Sequence, residues 1–118
     1  MDRDVGNMAK LGVQNYRFSF SWARLCPKGK CGVTGQHSAA GIKHYHEFLD
    51  KLAAANIEPF VTLYHWDLPQ ALQDEYGGWA NETVVDDFGD YARFVFQEYG
   101  DKVFNRMYFF NMGKFLKI

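Results

Sequence analysis

Four side chains in this sequence stand where they could bind a ligand. These side chains are Arg17, His65, Trp66 and Asn111. Each of them lies within or directly after a strongly apolar run of residues. A sugar presents hydroxyls at its rim and C–H groups on its faces, so its sites combine hydrogen-bonding side chains with an aromatic platform. His65 could instead be a satisfied core residue, and Asn111 a strand-end residue that bonds its own backbone.

Arg17 and Trp79 each allow a structural and a functional interpretation. Arg17 lies on the polar face of an alternating run whose other face is aromatic, so its guanidinium is predicted to be buried beside a carboxylate. That carboxylate could belong to an active site or to a structural ion pair. Trp79 follows two glycines, and it could form a second wall of a ligand site or pack under a loop.

Strand and helix patterns alternate along the chain. Apolar residues spaced three or four apart predict three helices, one ending before Gly12, one from Ser38 to Asn56 and one from Asn81 to Gly100. Alternating or continuous apolar runs predict strands over residues 16–22, 59–65 and 107–111. Strands separated by helical crossovers form parallel sheets, so an α/β fold is predicted.

Two α/β architectures fit this order, a doubly wound sheet and a (β/α)₈ barrel. No G-x-G-x-x-G or G-x-x-x-x-G-K-[ST] run follows a predicted strand, which argues against a nucleotide-binding doubly wound sheet. Barrels gather catalytic groups at the carboxyl ends of their strands, where His65 and Asn111 stand. A closed barrel uses eight strands and about 250 residues. The 118 residues are therefore predicted to form part of a (β/α)₈ TIM barrel, with about three parallel strands and their crossover helices.

The composition and charge of the chain argue against some classes of binding partner. Thirteen basic and fourteen acidic side chains leave a formal charge of −1, which gives no electrostatic footprint for nucleic acid or an anionic membrane. No apolar stretch reaches the roughly 18 residues of a membrane span, and no signal peptide is visible. We therefore predict a small-molecule ligand, with no nucleic acid, membrane, metal or cofactor.

Two short motifs bear on modification of the chain. Cys26 and Cys31 flank a short loop, and two cysteines cannot form a four-ligand zinc site. The sequence favours a pair of structural or idle thiols there, with a disulfide as the alternative. Asn81-Glu82-Thr83 is a glycosylation sequon if the protein is secreted, although a helix cap explains Asn81 equally well.

Four ordered motifs resemble those of family 1 glycoside hydrolases, the β-glucosidase and lactase-type enzymes. Tyr16-Arg17-Phe18-Ser19-Phe20-Ser21-Trp22 resembles the family signature Y-R-F-S-x-S-W, and the segment from Val61 to Gln70 resembles its most specific internal run. Gly77-Gly78-Trp79 and Phe88-x-x-Tyr91-Ala92 continue the match in the same order. The resemblance covers roughly residues 2–111. We predict residues 1–111 to be a partial barrel domain, followed by a non-homologous tail over residues 112–118.

The resemblance implies retaining hydrolysis of β-linked glycosides and assigns a role to each candidate residue. His65 would bond a hydroxyl of the sugar in the cleaved subsite, and Trp66 would wall that subsite. Asn111 would hold the 2-hydroxyl, a contact that strengthens in the transition state. Arg17 would lie beside the nucleophilic carboxylate and keep it ionised.

The same resemblance predicts that this chain does not catalyse the reaction. The family's acid/base glutamate corresponds to Met112, whose thioether carries no transferable proton. The nucleophile belongs to a later strand, so we expect a truncated chain that is aggregation-prone or molten in isolation. The alternative is a non-catalytic pseudoenzyme like the klotho-type members of the family, which bind a sugar or a protein without turnover.

Overall fold

The computed structural model describes residues 1–103 and the backbone of residues 107–108. In chain order the elements are α1 (Asp2–Lys10), β1 (Asn15–Ser19), α2 (Trp22–Leu25), α3 (Ala39–Ala54), β2 (Glu58–Thr62), α4 (Gln70–Tyr76), a 3₁₀ turn (Gly78–Ala80), α5 (Thr83–Val103) and β3 (Met107–Tyr108). Asn111, Met112 and the predicted tail lie outside the described residues, so the predictions made for them stay predictions.

The described strands form one parallel sheet in the order β1-β2-β3. Arg17 is the register partner of Phe60, and Phe18 is the partner of Val61. Val61 also pairs with Met107, so β2 lies in the middle. The strands are joined by helical crossovers and the sheet is not closed within the described residues, which confirms the predicted partial α/β fold.

Helix α3 covers one face of the sheet with aromatic side chains. Phe18 and Val61 share the face on which α3 packs, and the Phe18 ring lies 5.0 Å from the ring of Phe48 on that helix. Phe20, directly after β1, is fully buried against Tyr45 at a centroid distance of 4.8 Å. This aromatic stripe is the one that the alternation in the sequence predicts.

Helix α3 follows the sequence pattern closely. The Ser38 side chain accepts a hydrogen bond from the backbone N–H of Gly41 at 3.1 Å, which confirms the predicted N-cap. The buried positions Tyr45, Leu49 and Leu52 are spaced as one helix face requires. The helix ends at Ala54, close to the predicted stop at Asn56, which has a left-handed φ of 55°.

Helix α5 differs from its prediction in two respects. The spacing assigns Val85 and Phe96 to the buried face, but they are 46% and 42% exposed. Asp87 is buried instead, because a lysine and a tyrosine from other segments meet its carboxylate. Gly100 does not end the helix, which continues to Val103 because that residue is buried in the core.

Two short helices lie where the sequence predicts a strand or no regular structure. Trp22 belongs to the predicted strand but begins α2, because the Ser21 side chain caps that helix by accepting from the N–H of Arg24. Helix α4 lies in a stretch for which the sequence pattern predicts no helix. It ends at Gly77, whose φ of 86° is the left-handed conformation that favours glycine at a helix end.

The cysteine pair is bonded, so the prediction of structural or idle thiols is wrong. Cys26 and Cys31 form a disulfide with a Cα–Cα distance of 5.6 Å. Both residues are buried, at 0% and 4% exposure. The separation of five residues in sequence allows the bond because the intervening chain turns at Gly29, which has a φ of 77°.

Candidate functional site

The carboxyl ends of β1 and β2 bring Arg17 next to Thr62. The Arg17 Nε donates a hydrogen bond to the Thr62 Oγ1 at 3.2 Å across the two strands. Thr62 is 2% exposed, whereas Arg17 is exposed, which corrects the prediction of a buried guanidinium. The reason is that the three described strands leave this face of the sheet open, so the side chain reaches solvent.

The chain after β2 carries the next two candidates, and we call residues 63–67 the ligand segment. The sequence predicts that His65 points the same way as Val61 and Leu63, but those two are fully buried and His65 is exposed. The strand ends at Thr62, and alternation of side chains holds only in extended backbone. Trp66, at 74% exposure, has a left-handed φ of 66°.

Asp67 contributes to this turn. Its Oδ1 accepts a long hydrogen bond of 3.4 Å from the backbone N–H of His65. This contact links the carboxylate of Asp67 to the backbone on the other side of Trp66. The sequence indicated no such contact for Asp67.

Two buried hydrogen bonds hold the start of the ligand segment from beneath. The Tyr91 hydroxyl, on α5, donates to the backbone carbonyl of Leu63 at 2.8 Å. The Trp79 Nε1 donates to the Tyr64 hydroxyl, also at 2.8 Å. Burial raises the pKa of Tyr91 well above its ordinary value, so its hydroxyl stays protonated and able to donate.

These side chains belong to one aromatic layer, made of Trp22, Tyr64, Trp79, Phe88 and Tyr91. Trp22 is fully buried and stacks on Tyr91 with a centroid distance of 5.0 Å and an interplanar angle of 7°. The Trp79 ring lies 5.0 Å from the Tyr64 ring and 6.0 Å from the Phe88 ring. Of the two interpretations of Trp79, packing under a loop therefore describes its contacts.

The loop between Cys26 and Cys31, called the disulfide loop, covers the aromatic layer at Trp22. The Trp22 Nε1 donates to the Gly29 carbonyl at 3.1 Å. A Cβ on Gly29 would collide with the Leu72 side chain, so the loop backbone approaches α4 as closely as only glycine permits. The loop thus joins the chain after β1 to the chain after β2.

Lys30, within that loop, forms a partly buried ion pair that the sequence did not reveal. Its Nζ lies 2.9 Å from the Asp87 Oδ2 and 3.4 Å from the Glu75 Oε1. The Tyr76 hydroxyl donates to the same Asp87 oxygen at 2.8 Å. Burial acts to lower the pKa of Lys30, but the two carboxylates outweigh it and raise the pKa. Burial and Asp87 together raise the pKa of Tyr76. No local sequence pattern links residues 57 positions apart.

A groove of about 330 Å³ lies elsewhere, between α1, β1, α2 and α3. Arg17, His65 and Trp66 do not line it; its walls come from Met1, Asp4, Phe18, Ser19, Arg24, His44, Tyr45 and Phe48. Burial, with the charge of Arg24, lowers the pKa of His44, which is therefore neutral at pH 7. The groove is thus separate from the ligand segment.

Within residues 1–103, no group of three or more His, Cys, Asp or Glu side chains is arranged to hold a metal ion. In the same part of the chain, no helix is long and apolar enough to span a membrane. Near the carboxyl ends of β1 and β2, the exposed candidates are the guanidinium of Arg17, the imidazole of His65 and the indole of Trp66. Such a set suits a neutral polyhydroxyl ligand.

The sequence model of glycosyl hydrolase family 1 matches residues 1–117 of this chain. The chain belongs to this family. It is 50% identical over 102 residues to Beta-glucosidase 6 of Oryza sativa subsp. japonica, covering 86% of the chain and 19% of that relative. It is 48% identical over 101 residues to human Klotho, covering 86% of the chain and 10% of that protein.

The fold agrees with the family assignment. A rice β-glucosidase mutant, solved in a covalent complex with Glc, superposes with a TM-score of 0.84 at 47% identity. The superposition covers 92% of this chain and 22% of that structure. The chain therefore spans about a fifth of the length of the β-glucosidases it matches, and it corresponds to part of a TIM barrel.

Proposed function

We propose that residues 1–111 form part of the sugar-binding side of a retaining β-glycosidase. The observation that carries this proposal is the exposed pair His65 and Trp66, held at the carboxyl end of β2 by Tyr91 and Trp79. Hydrogen-bonding and aromatic groups at that end of a barrel strand are typical of a substrate site. The rice neighbour with covalently bound Glc supports retaining chemistry, in which a glycosyl-enzyme intermediate forms.

Each candidate residue has a separate role in this proposal. His65 donates to or accepts from a hydroxyl of the sugar in the cleaved subsite, and Trp66 covers a C–H face of the ring. Asn111 holds the 2-hydroxyl, whose contact strengthens in the transition state. Arg17, whose Nε donates to Thr62, lies beside the nucleophilic carboxylate and keeps it ionised.

The 118-residue chain is proposed to be inactive. Retaining hydrolysis needs two carboxyl groups about 5–5.5 Å apart, one of them a proton donor. The resemblance places Met112 at the donor position, and methionine cannot protonate a leaving group. Incubating the chain with 4-nitrophenyl β-glucoside is expected to release no nitrophenol above the uncatalysed rate. Measurable turnover would contradict the role given to Met112.

A hybrid enzyme tests the proposed contribution of residues 1–111. These residues would replace the matching segment of the rice β-glucosidase, which keeps its own catalytic carboxylates. We expect this hybrid to hydrolyse 4-nitrophenyl β-glucoside. A folded hybrid without activity would show that the segment does not supply a working sugar subsite.

A second hybrid isolates Met112. It carries residues 1–118 in place of the matching rice segment and is expected to be inactive. Met112→Glu in this second hybrid is expected to restore part of the activity, because it returns a proton donor to the acid position. Equal activity with methionine and glutamate would contradict the assignment.

The second candidate is a non-catalytic binding protein, which the 48% identity to human Klotho supports. The two candidates differ in what the 118-residue chain does alone. Saturable binding of methyl β-glucoside without turnover, measured by calorimetry, would favour the binding protein. Absence of binding by the chain, together with an active first hybrid, would favour the partial glycosidase.

A further inference from the structure

Asn81, Glu82 and Thr83 form an exposed acceptor motif between the 3₁₀ turn and α5. The motif Asn-x-Ser/Thr without proline is the acceptor for N-linked oligosaccharides. Such triplets also arise by chance, so exposure, conformation and the compartment of folding decide whether this one is used.

The geometry separates the capping role of Asn81 from its role as an acceptor. Its Oδ1 accepts a hydrogen bond of 2.9 Å from the backbone N–H of Thr83, which caps the first turn of α5. Among the hydrogen bonds of the described residues, none uses the Asn81 Nδ2 or the Thr83 hydroxyl. Capping occupies the oxygen of the amide and leaves its nitrogen, the atom to which a glycan is attached, facing solvent.

The motif is presented from an ordered base. Trp79, two residues earlier, is packed into the aromatic layer and bonded to Tyr64. The backbone of Asn81 is extended, with φ −122° and ψ 137°, and its N–H bonds the Gly78 carbonyl at 3.1 Å. A bulky group on Nδ2 therefore displaces no core side chain.

The disulfide supplies independent evidence about the compartment. Cys26 and Cys31 are both buried, and the bond between them closes a loop of the folded chain. Stable structural disulfides form in the secretory pathway and outside the cell, and they are rare in the cytosol. N-linked oligosaccharides are added in that same oxidising compartment.

We propose that Asn81 carries an N-linked oligosaccharide. The donor is an oligosaccharide linked to a lipid diphosphate. The Asn81 Nδ2 forms a bond to the anomeric carbon as the bond from that carbon to the diphosphate oxygen breaks. The lipid diphosphate leaves with the electron pair, and the amide loses one proton to a base of the transferase. This site does not depend on the proposed glycosidase function.

The glycan stands at the same end of the sheet as the ligand segment. Helix α5 begins where the chain from β2 returns, and Trp79 ties that return to Tyr64. The oligosaccharide covers the exposed start of α5, where Val85 is 46% exposed. The oligosaccharide therefore places a hydrated group next to the exposed Val85 side chain.

Cell-free translation with eukaryotic microsomes tests the acceptor, with the full chain placed behind a cleavable leader. Transfer occurs during translocation, so the result does not require a stable product. The wild-type chain and Thr83→Ser, which keeps the motif, are expected to show one glycosidase-sensitive increase in mass. Thr83→Ala, which breaks the motif, and Asn81→Asp, which keeps a capping oxygen, are expected to show none. A translocated wild-type chain without the increase would overturn the proposal.

The natural protein gives the second measurement. After enzymatic deglycosylation in H₂¹⁸O, the peptide containing residues 81–83 is expected to carry an ¹⁸O-labelled aspartate at position 81. Recovery of this peptide with unmodified asparagine would overturn the proposal, whatever activity the protein has.

Discussion

The aromatic layer and the exposed residues of the ligand segment, His65 and Trp66, are neighbours with opposite surroundings. Trp22 in the layer is fully buried, and its indole N–H is satisfied by the Gly29 carbonyl. Trp66 in the ligand segment is 74% exposed. The layer is complete within the described residues, whereas the groups that could contact a ligand lie on top of it and face outwards. The described residues thus include the side chains that pack beneath the site. They do not include side chains that would surround a bound ligand.

The largest contrast is expected between the two tryptophans. These and the following substitutions are made in the hybrid that carries residues 1–111, because the isolated chain is expected to be aggregation-prone or molten. Trp22→Ala removes a stacked, buried ring and should lower the stability of the hybrid by about 3–5 kcal/mol, measured by calorimetry. Trp66→Ala removes an exposed ring and should change stability by less than about 0.5 kcal/mol. Similar effects of the two substitutions would contradict the division between layer and segment.

The disulfide loop is expected to have the next largest effect. Cys26→Ser with Cys31→Ser removes a closed loop and should cost about 2 kcal/mol, since short loops constrain the unfolded chain only moderately. Hydrogen exchange should accelerate in α4 and at the start of α5, which the loop covers. Dithiothreitol should reproduce this change in the wild type and have no effect on the double variant.

Alkaline pH tests the ion pair under the same loop. The raised pKa values of Lys30 and Tyr76 mean that the folded state holds these protons more tightly than the unfolded chain. Their stabilising contribution is therefore present below about pH 10 and is lost as the pH rises through the raised values. Asp87→Asn should cost about 1–2 kcal/mol at pH 8, because the pair is partly exposed.

The difference between wild type and Asp87→Asn should shrink from pH 9 to pH 12. Urea midpoints from far-ultraviolet circular dichroism measure it. Asp50→Asn is the matched control, because its pair with Lys102 is more exposed and should contribute less than about 0.5 kcal/mol. A difference that does not change with pH would contradict the assigned proton linkage.

An effect similar in size to that of Asp87→Asn is expected at the contact between the two regions. Tyr91→Phe removes the donor to the Leu63 carbonyl and should cost about 1–2 kcal/mol, with faster hydrogen exchange in residues 63–67. Tyr99→Phe removes a longer bond of 3.3 Å, to the Ile42 carbonyl on α3. It should leave exchange in the ligand segment unchanged. Equal acceleration in both variants would mean that Tyr91 does not hold the segment.

The sequence predicted those parts of the fold that depend on local periodicity. The cap at Ser38, the buried face of α3 and the aromatic face of β1 follow from residue spacing alone. His65 was misplaced because alternation was extended past Thr62, where the backbone leaves the strand. Trp22 was misplaced for a similar reason, since the Ser21 cap begins a helix inside an alternating run.

Contacts between distant segments could not be predicted from one sequence. The carboxylate of Asp87 is buried because Lys30 and Tyr76 meet it, and nothing near Asp87 in the chain indicates this. The support of Leu63 by Tyr91 joins residues 28 positions apart in the same way. The roles of the candidate ligand residues rest on the family motifs and stay predictions.

The steady-state kinetics of one hybrid variant test the central proposal, that this chain supplies sugar-binding residues. In the hybrid that carries residues 1–111, His65→Ala should lower kcat/KM for 4-nitrophenyl β-glucoside by about 10- to 100-fold, the effect of losing one substrate hydrogen bond. His46→Ala is the matched control, because His46 pairs with Glu98 away from the ligand segment and should leave kcat/KM unchanged. An unchanged kcat/KM in His65→Ala, with the hybrid folded, would contradict the proposal.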